Sequence, residues 1–157
     1  MAQWITTWAA VFANHPLLRT AVDFVHIGGL VAAAGCALTA DLATIAAARS
    51  TPDSREAQLR VLDRTHPIVV IGLAALITSG LLLLGADVST YLHSTLFWIK
   101  MGLVGLLVIN GALMLAAERR ARRGGTGSWV RLHALAVGSL VLWTVTTLVG
   151  TALPNLT

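Results

Sequence analysis

The sequence predicts an all-α fold, an integral membrane four-helix bundle with an N-terminal interfacial helix, and three observations carry that prediction. Of 157 residues, 56% are apolar and only 11% charged, outside the range of soluble globular domains. The apolar residues fall into four runs, each near or above the roughly 20 residues that cross about 30 Å of hydrocarbon. The basic residues, which give a formal net charge of +4, gather in two short stretches between these runs. A nucleic-acid-binding protein would spread them over a soluble face, so that class is excluded. The chain reads as one domain over 1–157 whose first partner is a lipid bilayer.

Trp4, Ile5, Trp8 and Phe12 repeat at near-helical spacing while Gln3, Thr6 and Thr7 fall elsewhere, which predicts an interfacial helix over 1–14. Asn14-His15-Pro16 ends it, because proline lacks a backbone donor and disfavours helix in the residue before it. Spans are expected over about 20–48, 67–84, 95–117 and 132–153. A loop is expected from Ser50 to Thr65, with Arg49, Arg55, Arg60 and Arg64 in or beside it, and Pro67 opens the second span. ERRARRGGTG at 118–127 supplies Arg119, Arg120, Arg122 and Arg123, with Arg131 beyond, whereas the loop from Gly85 to Ser94 has no lysine or arginine. The positive-inside rule then puts both basic loops in the cytoplasm and both termini outside. No basic segment precedes the first apolar stretch and no small-residue cleavage site follows, so no cleaved signal peptide is expected and the chain is read as beginning near Met1.

Cys36, the single cysteine, rules out an intrachain disulfide, a thiolate-rich metal site and a CxxC redox motif. No repeat of solenoid length and no proline-broken span points to a transporter's inverted repeat. Gly28, Gly29, Ala32, Ala33 and Gly35 on the first span, with Gly102, Gly105 and Gly111 on the third, would admit another helix, a flat ligand or a second copy in a homodimer. Trp4, Trp8, Trp129 and Trp143 read as interfacial anchors.

In so apolar a chain the chemistry lies with ionisable residues in or at the edges of the spans, because desolvating them is costly unless they are paired or used. Asp23, His26, His93 and Lys100 lie toward the outside; Asp41, Arg64, His66 and His133 lie toward the inside. The histidines form two pairs, His26 with His93 and His66 with His133, each drawn from helices running in the same direction. With neighbouring helices about 8–10 Å apart, such helices sit across a diagonal of roughly 14 Å, which lets two imidazoles reach a haem iron from opposite faces. That diagonal is too wide for a compact copper site unless the helices lean together. Arg64 and Lys100 are candidate partners for haem propionates, and Phe97 and Trp98 could flank a ring.

Structural alternatives stand beside each assignment. His93 can be a solvated loop residue, His133 an interfacial one, His66 a helix-start cap, and His15 part of the break between the first two helices. Arg19 and Asp23, spaced i, i+4, can form an interfacial ion pair, Asp41 can pair with Arg49, cap another helix or carry a proton, and Lys100 can snorkel outward. No hydrolytic triad, phosphate loop or HExxH pattern is present.

His26 followed by Gly28-Gly29, the Phe97-Trp98-Ile99-Lys100 start of the third span, Asn110 with arginines after that span, and the ending Leu148-Val149-Gly150-Thr151-Ala152-Leu153-Pro154 cover all four spans. This pattern resembles the membrane domain of the copper-resistance protein D group and its relatives, which include the haem-carrying membrane protoporphyrinogen oxidases of bacteria. The resemblance implies a four-helix bundle that holds a haem or handles copper, with His26 matching a ligand position and Lys100 the lysine of the third span. The glutamate-rich last-span motif of the protoporphyrinogen oxidases is absent, as are methionine-rich copper motifs, since Met1, Met101 and Met114 are scattered. The expectation is a b-type cytochrome of the bacterial cytoplasmic (inner) membrane, a membrane oxidoreductase with one or two haems passing electrons between a quinol and a redox partner. Copper binding or transport near His26, and a transporter or structural subunit without cofactor, are the alternatives.

Overall fold

The computed structural model describes residues 3–156, with side chains through residue 153; Met1, Ala2 and Thr157 lie outside it, as does the side chain of Pro154. Six helices follow one another: α1 (Gln3–Asn14), α2 (Pro16–Ala47), α3 (Pro52–Ala86), α4 (Val88–His93), α5 (Thr95–Arg122) and α6 (Ser128–Leu156). No strand occurs among the described residues. The helices α2, α3, α5 and α6 are each long and apolar enough to cross a membrane, and the chain is a multi-pass membrane protein.

The arginine-rich turns α2–α3 and α5–α6 share one end, called here the basic end; α1 and α4 lie at the opposite, distal end. The lateral order is α3, α2, α6, α5: α2 packs along α3, α6 along α5, and α2 against α6 joins the two pairs. The backbones of α3 and α5 hardly approach each other, and side chains bridge them at the basic end. This order leaves the parallel pairs α2/α5 and α3/α6 on diagonals, as the loop lengths predict.

The α2–α3 crossing is the closest in the bundle. A Cβ on Gly29 would stand 2.9 Å from the Gly72 carbonyl oxygen, and one on Gly72 would stand 3.0 Å from both the Ala33 Cβ and the Gly29 carbonyl oxygen. Glycine at both positions lets the two backbones touch, the usual route to helix association where lipid supplies no hydrophobic drive between helices. The other glycines expected at a helix contact meet no neighbouring helix of the chain. Cβ atoms on Gly28, Gly35, Gly102, Gly105 or Gly111 would meet nothing within 4 Å, so those glycines face away from any helix.

The expected loop from Ser50 to Thr65 is helical from Pro52 onward, and Pro67 lies inside α3 instead of opening it. Thr51 caps the start by accepting from the Ser54 amide at 3.4 Å, Pro52 occupies the first turn and Asp53 complements the helix dipole. This extension survives because Leu59 and Leu62 are buried with Ala40 and packed against Ala121 and Trp129. Pro67 removes one helical hydrogen bond, and the packing on either side outweighs that loss. The span expected to close at about 117 likewise runs on to Arg122, and the expected loop from Gly85 to Ser94 holds the short helix α4.

Two further readings are corrected. Trp143 is not an interfacial anchor: it is 5% exposed and packs with Ala33, Ala37 and Leu107 at the centre of the bundle. Arg19 makes no ion pair with Asp23; it donates to the Ala13 carbonyl at 3.2 Å and lies 5.7 Å from the centroid of the Phe12 ring, closing the end of α1. α1 itself docks on the bundle. The Trp8 indole donates to the Leu82 carbonyl at 2.9 Å and lies against Gly85. His15 is structural, its Nδ1 2.8 Å from the Val11 carbonyl oxygen.

Gly72→Leu should lower unfolding stability by about 2 kcal/mol or more through overpacking, whereas Gly102→Ala, into open space, should change it by less than about 0.5 kcal/mol. Denaturant titration in mixed micelles followed by circular dichroism measures both. Asp87, outside the spans, gives a pH-dependent expectation. Thr90, through its side chain and its amide, holds the Asp87 carboxyl below the usual carboxylate range, and the carboxylate caps α4. A depressed folded value means the contribution is complete above the unfolded value of about 3.9 and is lost as pH falls through the folded one. Amide exchange in Val88–His93 should therefore be protected at neutral pH and accelerate only in acid below the ordinary aspartate range, while Asp87→Ala should exchange fast throughout.

Candidate functional site

The interior carries two polar zones, one in each half. In the distal half, His26 of α2 sits about 15 Å along the helix axis from Pro16, and Ser79 of α3 about 10 Å from the end of its helix, at matching depth. His26 Nδ1 and Ser79 Oγ are 2.9 Å apart. Ser79 Oγ also lies 2.6 Å from the Ala75 carbonyl oxygen, which only accepts, so the single hydroxyl proton goes there. The imidazole must then donate from Nδ1, and Nε2 carries the lone pair. This fixes both tautomer and ring direction.

Two glycines make room beside this residue. A Cβ on Gly80 would stand 3.4 Å from His26 Cε1, and one on Gly150 of α6 would stand 3.5 Å from Lys100 Cε and 3.6 Å from its Nζ. Lys100 of α5 therefore lies across the face of α6 instead of snorkelling straight outward, and it is close enough to His26 to act on it electrostatically. Thr146, one turn before Gly150 on α6, is buried with no hydrogen-bond partner for its Oγ1. Each membrane helix thus contributes one polar side chain to the distal interior: His26, Ser79, Lys100 and Thr146.

The second zone lies toward the basic end and holds carboxylates. Asp41 on α2 is 2% exposed, lies near Ser139 of α6 and leaves Oδ2 without a hydrogen-bond partner. It does not pair with Arg49. Glu118, 4% exposed, accepts from Arg122 Nη2 at 2.6 Å, and its other oxygen stands 3.3 Å from His66 Nδ1. The same Arg122 nitrogen reaches Asp63 at 2.8 Å and the Leu59 carbonyl at 2.7 Å, tying α5 to α3. Nearby, Gln58 Nε2 donates to the Ala40 carbonyl at 3.0 Å and to Thr44 Oγ1 at 2.9 Å.

The predicted histidines therefore have different surroundings. His26 is half-buried and oriented. His93 is exposed at the end of α4 with Nδ1 2.7 Å from the Ser89 carbonyl oxygen, so its Nε2 is also uncommitted. His66 faces Glu118 and does not cap a helix start, and His133 lines a surface cleft with Arg49 and Arg55. No contact joins His66 to His133, and among the described residues no three His, Cys, Asp or Glu side chains gather to hold a metal ion. Arg64 is exposed with no side-chain partner, Phe97 is buried, and Trp98 is exposed with its indole donating to the Leu92 carbonyl at 3.1 Å.

Sequence reasoning missed Glu118, Ser79 and Thr146. Glu118 begins the ERRARR run and reads as part of a basic loop; its signal was its position four residues before Arg122 on a helix that continues. Ser79 and Thr146 carry no charge to draw the eye.

Arg122→Ala should leave Glu118 buried beside His66 alone and cost about 2 kcal/mol of stability, discounted because the guanidinium is partly solvated. Arg122→Ala with Glu118→Leu should recover most of that loss in the same micellar unfolding titration. No family model, curated protein or solved structure matches the chain, and its site is defined by this geometry.

Proposed function

We propose that this chain is a haem b-binding protein of the bacterial cytoplasmic membrane, with both termini outside, that passes electrons between a quinol and another acceptor. One observation carries the reading: His26 is held by Ser79 with Nδ1 as donor, which leaves Nε2 as the acceptor nitrogen of the ring in the distal half of the bundle. A ligating histidine is commonly fixed in this way, its second nitrogen donating to a protein acceptor that sets the ring and raises its basicity. The glycines at 80 and 150 let the His26 imidazole pack close against α3 and the Lys100 side chain against α6.

The residues fit a single group in the distal half better than two groups. His26 would ligate the iron, and Lys100 would offer a cation to a carboxylate of the group. His93 would be the candidate for a second ligand, its Nε2 uncommitted at the surface end of α4. In the basic half, His66 is engaged with Glu118 and His133 faces the cleft, which argues against a second group there. When bound, the haem supplies one-electron redox chemistry; the protein's part is ligation, exclusion of water and tuning of the potential through Ser79 and Lys100. The arginines of the basic end favour a cytoplasmic position for that end, with the His26 zone toward the outside.

Protein purified in mild detergent from haem-supplemented cells should show a Soret band and, on dithionite reduction, sharp α and β bands. His26→Ala should abolish them, Ser79→Ala should shift the potential or weaken retention, and Gly28→Ala, at an open position, should leave the spectrum unchanged. A colourless wild-type protein overturns the cytochrome reading, and bound copper in that sample would favour the copper alternative.

A further inference from the structure

The cleft at the basic end is not used by the proposed redox function. It has a volume of about 580 Å³ and lies between the C-terminus of α2 and the loop that leads into α6. Arg49, Arg55 and His133 line it, and no aspartate or glutamate does. Arg55 is a fixed wall: its guanidinium donates to the Ala48 carbonyl at 2.8 Å and the Ala47 carbonyl at 3.4 Å, and it lies 5.5 Å from the centroid of the Trp129 ring. Arg49 and His133 are different. Neither side chain has a hydrogen bond or ion pair to another described residue, so their donors remain available in the lining of the cleft.

The floor between them is bare backbone. Gly124 and Gly127 take φ values of +71° and +73°, and a side chain at either would meet nothing within 4 Å. The cleft sits where spans give way to basic turns, which is headgroup depth for the cytoplasmic leaflet in the proposed orientation. A cavity with two uncommitted cationic donors, a third guanidinium fixed in its wall and no carboxylate has the chemistry of an anion receptor. Arginine in particular matches the oxygens of phosphate.

We propose that this cleft binds a phosphate group, carried by an anionic phospholipid headgroup or free in the cytoplasm, through Arg49 and His133. The site depends on the cavity and its side chains, and it stands whether or not the distal half holds a haem. The guanidinium of Arg49 supplies a paired-donor contact, His133 a single one, and the open backbone at Gly127 allows the group to approach without a steric barrier.

Native mass spectrometry of the full chain, delipidated in mild detergent and titrated with dioleoyl phosphatidylglycerol, dioleoyl phosphatidylcholine or inorganic phosphate, tests this. One phosphatidylglycerol should be retained at least tenfold more strongly than phosphatidylcholine, and Arg49→Gln with His133→Gln should remove that preference. Arg60→Gln with Arg119→Gln, which removes two charges at the same end from residues that do not line the cleft, should preserve it. Binding or competition by inorganic phosphate at millimolar concentration, lost in the same Arg49/His133 variant, assigns the free ion as the source. Equal loss in both double variants, or no selective binding of either probe, overturns the proposal; a thermal melt of each variant separates loss of the site from loss of the fold.

Discussion

The approach of α2 to α3 at Gly29 and Gly72 fixes the rest of the bundle. Backbone contact at that crossing sets the register of two helices that together exceed 60 residues. One turn toward the distal end on α2 and two turns on α3, it brings His26 to Ser79; at the other end, it brings Gln58 to Ala40 and Thr44. A helix slip of one residue would rotate every side chain by about 100° and break both contacts together. Polar groups in lipid have no water to fall back on, so those contacts and the crossing support one another.

The interior is polarised along the bundle axis. Its cations and imidazole, Lys100 and His26, lie in the distal half, and its carboxylates, Asp41 and Glu118, lie toward the basic end. Glu118 sits beneath the arginines of the basic end and is neutralised by one of them, Arg122. Asp41 has no cation partner. Its Oδ2 is left without a hydrogen-bond partner, and a polar group buried in this way is costly.

The architecture was legible because hydropathy is a strong, long-range signal: four apolar runs and two basic turns allow few alternatives. Boundaries were less legible. Pro67 looked like a helix start because proline is common there, yet Leu59 and Leu62, eight and five residues earlier, bury a face that holds the helix together through it. The glycines were legible as a type and illegible as a set, because helical phase decides which of them meets a neighbour: Gly29 touches α3 while Gly28, one residue away, faces out. The candidate histidines were found by residue type, but the partners that distinguish them, Ser79 and Glu118, depend on which helices are adjacent, and that lateral order is not written in any one span.

Pro67 has a mechanical consequence. Its missing amide leaves the Asp63 carbonyl without its helical donor, so α3 is a rod with one compliant joint, about halfway between its capped start and its distal end. Arg122 grips the chain on the near side of that joint, at Leu59 and Asp63, while Glu118 faces His66 next to it. The cluster therefore braces the joint: while these contacts hold, the part of α3 before Pro67 is carried by α5 and moves with it as one body.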